Sequence, residues 1–296
     1  MGQGAASREI DEVRAGVLYI CGTPIGNLGD ASRRLIETLR AVDVIAAEDT
    51  RVARKLLSAL GVEGKALVSF HEHNKWKRIP EILSMLKRGK SVALVTDAGM
   101  PAISDPGWEL VKATLDEGLK VTVVPGPSAS VSALVVSGIR PCPFTFVGFL
   151  PRDRKERREA LARIARRSET LVIYEAPHRV EDCLEDILDI LGERRMALVR
   201  ELTKKFEEVR RGKVSEILSS VRKDPPKGEI TLVVEGVATE EETTPSNLEG
   251  ILPRLREAYE ELTREGIPPN KVLSLLARLT GVRKRQLYKL LKVGKD

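Results

Sequence analysis

Strand-length apolar runs alternating with amphipathic helical stretches predict an α/β protein with a largely parallel sheet. A second block, with a different rhythm of strands and helices, predicts a mixed sheet, and a small all-helical region closes the chain. At 296 residues the chain is long enough for two compact domains with separate cores. Its 42% hydrophobic and 31% charged residues are the balance of a folded globular protein.

In the first block the runs 16–21, 42–48, 66–70, 91–96 and 120–125 are Val/Ile-rich and nearly continuous in apolar character. Strands buried on both faces read this way. Between them, residues 30–40, 51–60, 75–88 and 107–117 have helical spacing, with Gly61, Gly89 and Gly118 at helix ends. In the second block, 144–150, 170–176, 195–201 and 229–236 read as strands and 153–167, 179–191 and 213–222 as helices. The stretch ELTKKFEEVRRGKV reads as a strand, a turn and a return, so part of the pairing is expected to be antiparallel. The expected division is a flexible tail (1–15), an N-terminal α/β domain (16–127), a second α/β domain (128–236), an acidic linker (237–247) and a helical unit (248–296). Within the last, 271–280 and 282–291 have the cadence of a helix-turn-helix.

The net charge of +6 is clustered. Lys271, Arg278, Arg283, Lys284, Arg285, Lys289, Lys292 and Lys295 follow one another with no acid between them, and residues 151–168 hold eight bases against three acids. Two such clusters suit a phosphate-rich partner, although a single charged run is also what any solvated helix face carries. Cys21, Cys142 and Cys183 lie far apart in segments typical of buried thiols, so neither a disulfide framework nor a zinc site is expected. No apolar run reaches membrane-span length and the start lacks a secretion-signal layout, which points to a cytoplasmic, metal-free protein.

In open α/β sheets ligands bind beyond the carboxyl ends of the strands. The first loop, CGTPIGNLGD, spaces Gly22, Gly26 and Gly29 as G-x3-G-x2-G, which is neither the dinucleotide fingerprint nor the phosphate loop. Pro24 also removes an N–H that a phosphate would need. The second strand ends in Glu48, Asp49 and Arg51, the third in His71 to Asn74, the fourth in TDAGMPAISDPG (96–107) and the fifth in PGPSAS (125–130). Asp30, Thr50, Ser104 and Ser128 each suit a plain helix cap, but so much polarity at one sheet edge points to a site. Ala98 and Gly99 leave main chain open to a flat heterocycle with a polar tail, and PGPSAS turns helix N–H groups toward a carboxylate or ribose.

The motifs TPIGNLGD, AEDTR, DAGMPAISDPG, VPGPSA, GFLPR, EAPHR, ELTKKFEE and KGEITLVVEG occur here in one order. Together the motifs resemble those of the ribosomal RNA small-subunit methyltransferase I family, 2′-O-ribose methylases of a cytidine in 16S rRNA, within the tetrapyrrole-methylase fold superfamily. The resemblance covers about 16–236, and the C-terminal helical unit is similar too; Ala176 and Phe206 depart from the pattern. It implies two α/β domains with a cleft between them that holds S-adenosylmethionine. The cofactor positions it implies are Pro24, Ala98, Gly99, Met100, Ile103, Ser128, Ala129, Glu175, Leu202 and Thr231. For Met100, Ile103 and Leu202, plain core packing is an equal reading.

Methyl transfer to a ribose hydroxyl calls for a nearby base, or a cation that stabilises the developing alkoxide. Glu48, Asp49, Asp105, Glu201 and Lys204 are the candidates, Lys204 on condition that burial or Arg200 lowers its pKa rather than Glu201 pairing with it. Arg51, Arg152, Arg154, His178 and Arg179, with Arg283, Lys284 and Arg285, are expected RNA contacts. The expected partners are 16S rRNA in the small ribosomal subunit and a second copy of the chain. The alternatives are a tetrapyrrole (corrinoid precursor) C-methyltransferase on the same fold and a non-catalytic RNA-binding protein.

Overall fold

The computed structural model describes residues 13–237, 248–280 and 282–291. Most of the expected tail and linker, and the basic residues Lys292 and Lys295, lie outside the described residues. The chain divides into two compact units, the described residues through Ala165 with Glu169–Glu235, and Arg166–Ser168 with the C-terminal helices.

The first sheet consists of β1 (Val17–Cys21), β2 (Val44–Ala47), β3 (Ala66–Ser69), β4 (Val92–Val95) and β5 (Lys120–Val124). All pairings are parallel, in the order β3-β2-β4-β1-β5. Each strand falls inside its expected run. The period-2 alternation of β1 splits the core. Val17, Tyr19 and Cys21 pack with Leu35, Leu39 and Leu57 of α1 (Arg33–Ala41) and α2 (Thr50–Ala59). Leu18 and Ile20 pack with Ile79, Ile82, Leu86 and Leu110 of α3 (Lys75–Lys87) and α4 (Trp108–Asp116). α1 forms because Ser32 caps it, its hydroxyl accepting from Leu35 N, and because Leu35, Thr38 and Leu39 share one buried face. Burial on both faces holds for β1, β2 and β4. It fails for β3 and β5, which are the edge strands: Val123 of β5 is 48% exposed. Strand order is what separates central from edge strands, and apolar content does not carry it.

The second sheet runs β6 (Phe144–Phe149), β7 (Thr170–Glu175), β10 (Ile230–Val234), β8 (Arg195–Arg200), β9 (Glu208–Lys213). β6 and β7 are parallel and the other pairings antiparallel, and β9 is the expected return strand. On one face α5 (Ala129–Ser137) lays Ala133 and Leu134 against Val172, Ala197, Val199 and Val233. On the other, α6 (Arg154–Ile164), α7 (Val180–Leu191) and α8 (Val214–Lys223) close over Leu171, Ile173, Leu198 and Leu232. Because α5 follows the last strand of the first sheet yet packs on the second, the two sheets belong to one unit.

The C-terminal unit comprises α9 (Leu248–Arg264), α10 (Pro269–Thr280) and α11 (Lys284–Leu290), around Tyr259, Val272, Leu273, Leu276, Val282 and Leu287. Arg283, Lys284 and Arg285 are exposed at the start of α11. Cys21 and Cys183 are buried, and burial raises both thiols, Cys21 to about 12. Cys142 corrects the expectation of three buried thiols: it is exposed, in the connection ahead of β6.

Candidate active site

The first sheet reverses its winding between β1 and β4, since β1 connects toward β2 on one side and β4 toward β5 on the other. The loops after these two strands are stitched together there. Thr23 N donates to Gly99 O (2.9 Å), Gly99 N to Thr23 O (3.2 Å), and the buried Thr23 hydroxyl to Thr96 O (3.2 Å). Gly22 and Gly26 of the first loop make room for neighbouring loops, not for a phosphate. A Cβ on Gly22 would lie 2.5 Å from Met100 Sδ and 2.7 Å from Gly126 Cα, and one on Gly26 would collide with the Lys204 side chain. A Cβ on Gly126 would stand 2.5 Å from Gly22 O. Gly126→Ala is therefore expected to destabilise the protein by about 1–3 kcal/mol, read by urea denaturation. An unchanged midpoint would disprove this backbone contact.

Beyond the stitched loops lies a cavity of about 630 Å³, within the range of small-molecule sites. The first sheet contributes Glu48 after β2, Asp97 to Met100 and Ile103 to Asp105 after β4, and Ser128 and Ala129 where α5 begins. The second contributes Phe149, Tyr174 to Pro177, Glu201, Lys204 and the start of β10 from Gly228 to Thr231. β10 meets the others there because it runs antiparallel: Ile230 stands opposite both Glu175 and Arg200, so its first residues share an edge with the last of β7 and β8. Among the described residues, four that are not glycine have left-handed backbones, Ala102 (φ 70°), Ser104 (64°), Glu201 (49°) and Thr203 (66°). All lie in the two loops that flank the cavity, and each costs about 1 kcal/mol or more, a strain that gathers at functional sites.

Among the described residues, six carboxylates line this space, Glu48, Asp97, Asp105, Glu175, Glu201 and Glu229, against the one cation Lys204. Burial, reinforced by Glu48, Asp97 and Glu229, pushes Asp105 up to about 7. Burial likewise raises Glu48 and Asp97. Lys204 Nζ donates to Glu201 Oε1 (3.0 Å) and Glu229 Oε2 (3.1 Å). Burial alone would lower Lys204, but these two bonds outweigh it and its pKa is raised. This corrects the expectation of Lys204 as a base: it is a fixed ammonium. Glu201, in the same pair, is net lowered, burial being overcome by Lys204 and by the Glu229 N–H.

Other expected positions divide plainly. Ala98, Gly99, Met100, Ile103, Ser128, Ala129, Glu175 and Thr231 reach the cavity together with Glu48, Asp105, Glu201 and Lys204. Pro24 is buried and does not line it, and Leu202 packs into the core under α5. Asp49 is outside: its carboxylate caps α2 by accepting from Arg51 N (2.8 Å) and pairs with the Arg51 guanidinium (2.6 Å), which holds it far below the usual range. Arg152 and His178 are exposed. Arg179, expected at RNA, turns inward. Its Nη2 donates to Leu150 O (3.1 Å) and Pro151 O (2.8 Å), and its Nε lies 3.4 Å from Glu175. Arg154 pairs with Asp186 of α7 (3.3 Å). Asp97, Phe149, Tyr174 and Glu229 line the cavity without having been singled out, and Ser104, which suited a plain cap, lines it too. Asp97 lies two residues past β4 and was within reach of the sheet-edge rule; Glu229 precedes β10, and only the antiparallel pairing brings it there.

A cleft of small-residue turns and carboxylates between two such sheets defines an α/β protein with a small-molecule site. The family model described as Tetrapyrrole (Corrin/Porphyrin) Methylases matches residues 17–218. Relatives named Ribosomal RNA small subunit methyltransferase I include that of Bacillus subtilis, 50% identical over 76% of this chain and 77% of its own. The Halalkalibacterium halodurans relative is 44% identical over 92% and 93%, and the Thermotoga maritima relative 51% identical over 75% and 99%. The chain belongs to this methyltransferase family within the tetrapyrrole methylases. Among solved structures, cobalt precorrin-4 methyltransferase aligns with a TM-score of 0.57 at 19% identity, over 74% of this chain and 95% of that one. Uroporphyrin-III-C-methyltransferase from Thermus thermophilus aligns with 0.52 at 23%, over 74% and 94%. Both show the shared fold.

The family's methyl donor is S-adenosylmethionine, and the cavity suits it. The carboxylate lining complements a sulfonium cation, Ala98, Gly99 and Ala129 leave main chain accessible, and among the described residues no N–H or O–H donor reaches the buried Glu175 Oε2. Among the described residues no helix is long and apolar enough to cross a membrane, and no cluster of His, Cys, Asp or Glu is arranged to hold a metal ion.

Proposed function

We propose that this chain methylates the ribose 2′-hydroxyl of a cytidine in 16S rRNA of the small ribosomal subunit, using S-adenosylmethionine, as a cytoplasmic homodimer. The observation that carries the reading is Asp105, a carboxyl held near neutrality at the wall of a cavity whose other carboxylates are matched to a cation. Bound S-adenosylmethionine supplies a methyl group already activated by its positive sulfur. What remains for the protein is to deprotonate and aim an oxygen. Asp105 accepts the hydroxyl proton, since its pKa of about 7 lets it take a proton near physiological pH and release it afterwards. Lys204, locked as an ammonium by Glu201 and Glu229, steadies negative charge developing on that oxygen. Ala98 to Met100, Ser128, Ala129, Glu175 and Thr231 hold the nucleoside and its amino-acid tail.

The relatives' names favour an RNA substrate over a tetrapyrrole, and the basic helix start at Arg283, Lys284 and Arg285 suits RNA phosphates. Reversing these three charges is expected to weaken RNA binding and flatten its salt dependence by about three units of slope, with donor affinity unchanged. An intact salt slope would remove the helical unit from RNA recognition. The homodimer is supported by the apolar exposure of the β5 edge and of α5, where Val123, Val131 and Val135 are 48%, 49% and 70% exposed. Light scattering on the full chain reads it directly.

The deciding experiment incubates the protein and S-adenosylmethionine with small subunits from a strain deleted for the enzyme, followed by ribose-methylation mapping. One new 2′-O-methylcytidine in 16S rRNA is the expected result. Methyl incorporation elsewhere, or none despite tight donor binding, overturns the reading.

A further inference from the structure

The chain has two tryptophans, Trp76 and Trp108, and both face outward, 71% and 58% exposed. A tryptophan carries a large apolar area that normally goes inside, so two left open at neighbouring helix starts call for a partner. They open α3 and α4, the helices that follow β3 and β4, at the sheet edge that holds the cavity. One ion pair fixes both helix starts: Lys75, preceding Trp76, is bonded to Glu109, following Trp108, and Lys75 Nζ also lies 2.5 Å from Glu72. The turn ahead of Trp76 is closed too, Asn74 Oδ1 accepting from His71 N (2.9 Å) while Nδ2 donates to Ser69 Oγ (3.0 Å). From Trp108 the path along the chain to the cavity is short, since Asp105, three residues before it, lines the cavity. The sequence around the first ring, KWKR (75–78), interleaves the aromatic with cations, and Lys77 is exposed.

We propose that Trp76 and Trp108 form a stacking platform for unpaired RNA bases flanking the nucleotide whose ribose enters the cavity, with Lys77 meeting the adjoining phosphate. The proposal rests on the RNA reading given above. A nucleotide can reach a recessed cavity only if its neighbours leave their helical stack, and exposed rigid indoles replace that stacking irrespective of base identity. The aromatic–cation pattern and the position beside the cavity favour a nucleic acid strand over a protein face.

Because these are the chain's two tryptophans, the platform reports on itself. A short single-stranded oligoribonucleotide, fluorescein-labelled so that anisotropy follows its binding separately, is titrated into the full-length protein while intrinsic tryptophan emission is recorded. Stacking predicts saturable quenching that tracks the anisotropy. Trp76→Ala and Trp108→Ala are each expected to weaken binding by about tenfold with an unchanged salt slope, and Trp→Phe to restore most of it. Lys77→Ala is expected to reduce the salt slope by about one. Donor affinity, measured by calorimetry, stays constant in all variants and certifies their folding. Anisotropy without quenching, or alanine variants that bind as well as the parent, overturns the platform and leaves the RNA reading standing. No binding by anisotropy, to the oligoribonucleotide or to small subunits, overturns both.

Discussion

Asp105→Asn is expected to slow methyl transfer by about 10²- to 10⁴-fold, the range that a positioned base contributes, while donor affinity changes far less. The amide keeps the shape and cannot take the proton. In the parent enzyme the single-turnover rate should climb about tenfold per pH unit below about 7 and level off above it, because the active form is the carboxylate and its pKa is about 7. Glu48→Gln removes one of the negative neighbours that raise Asp105, so the same limb should move to lower pH. Stability supplies a signature of opposite sign. Folding raises Asp105 above the ordinary carboxylate value of about 4, so the native state holds an extra proton between about 4 and 7 and loses stability as pH rises through that window. Above it the penalty is complete. Asp105→Asn should therefore stabilise the protein, on the order of 1 kcal/mol, at pH 8 and hardly at all at pH 4. A variant that is both less stable and less active would assign Asp105 to structure, and a flat pH–rate profile would exclude it as the base.

The strands of both sheets were legible because a strand buried in a sheet must be apolar, and Val17–Cys21 or Ile230–Val234 can be little else. The site was legible wherever a loop follows a parallel strand, which is how Glu48, Ala98, Gly99, Asp105 and Ser128 were found. Strand order was hidden, and so was the direction of β10. Exposed Val123 looks like a core residue until β5 is known to be an edge, and Glu229 looks like a turn residue until β10 runs backwards. The chemical state of Lys204 was hidden as well. Its neighbour Glu201 was visible, but the second carboxylate that fixes its charge, Glu229, comes from 25 residues further along the chain.

Charge counting along the chain misled most over α6, and the reason leads to a large expected effect. Residues 151–168 hold eight bases and three acids, but the balancing acid sits on another helix. Asp186 of α7 is fully buried, and the guanidiniums of Arg157, Arg158 and Arg154 converge on it at 2.7, 2.8 and 3.3 Å. Arg157 is itself only 3% exposed. Three expected RNA-facing cations are thus engaged within the protein, leaving Arg152, Lys155, Arg163, Arg166 and Arg167 as the exposed ones. Asp186→Ala strands the Arg157 charge in an apolar layer and is expected to cost about 3–5 kcal/mol by urea denaturation. The pair itself need not stabilise, since taking two charges out of water offsets most of their attraction. Arg157→Met with Asp186→Leu should therefore recover most of the loss, the other two arginines remaining free to be solvated. Burial opposes the ionised form of Asp186, yet Arg158 and Arg157 prevail and hold its pKa below the ordinary value. Its contribution is then present above about pH 4 and disappears as pH falls through the lower, folded-state value, so the parent and Asp186→Ala should converge in stability under acid. A loss under 1 kcal/mol at neutral pH, or a double variant no better than the single, would mean that α6 is held by its apolar residues alone and that its arginines are available to RNA after all.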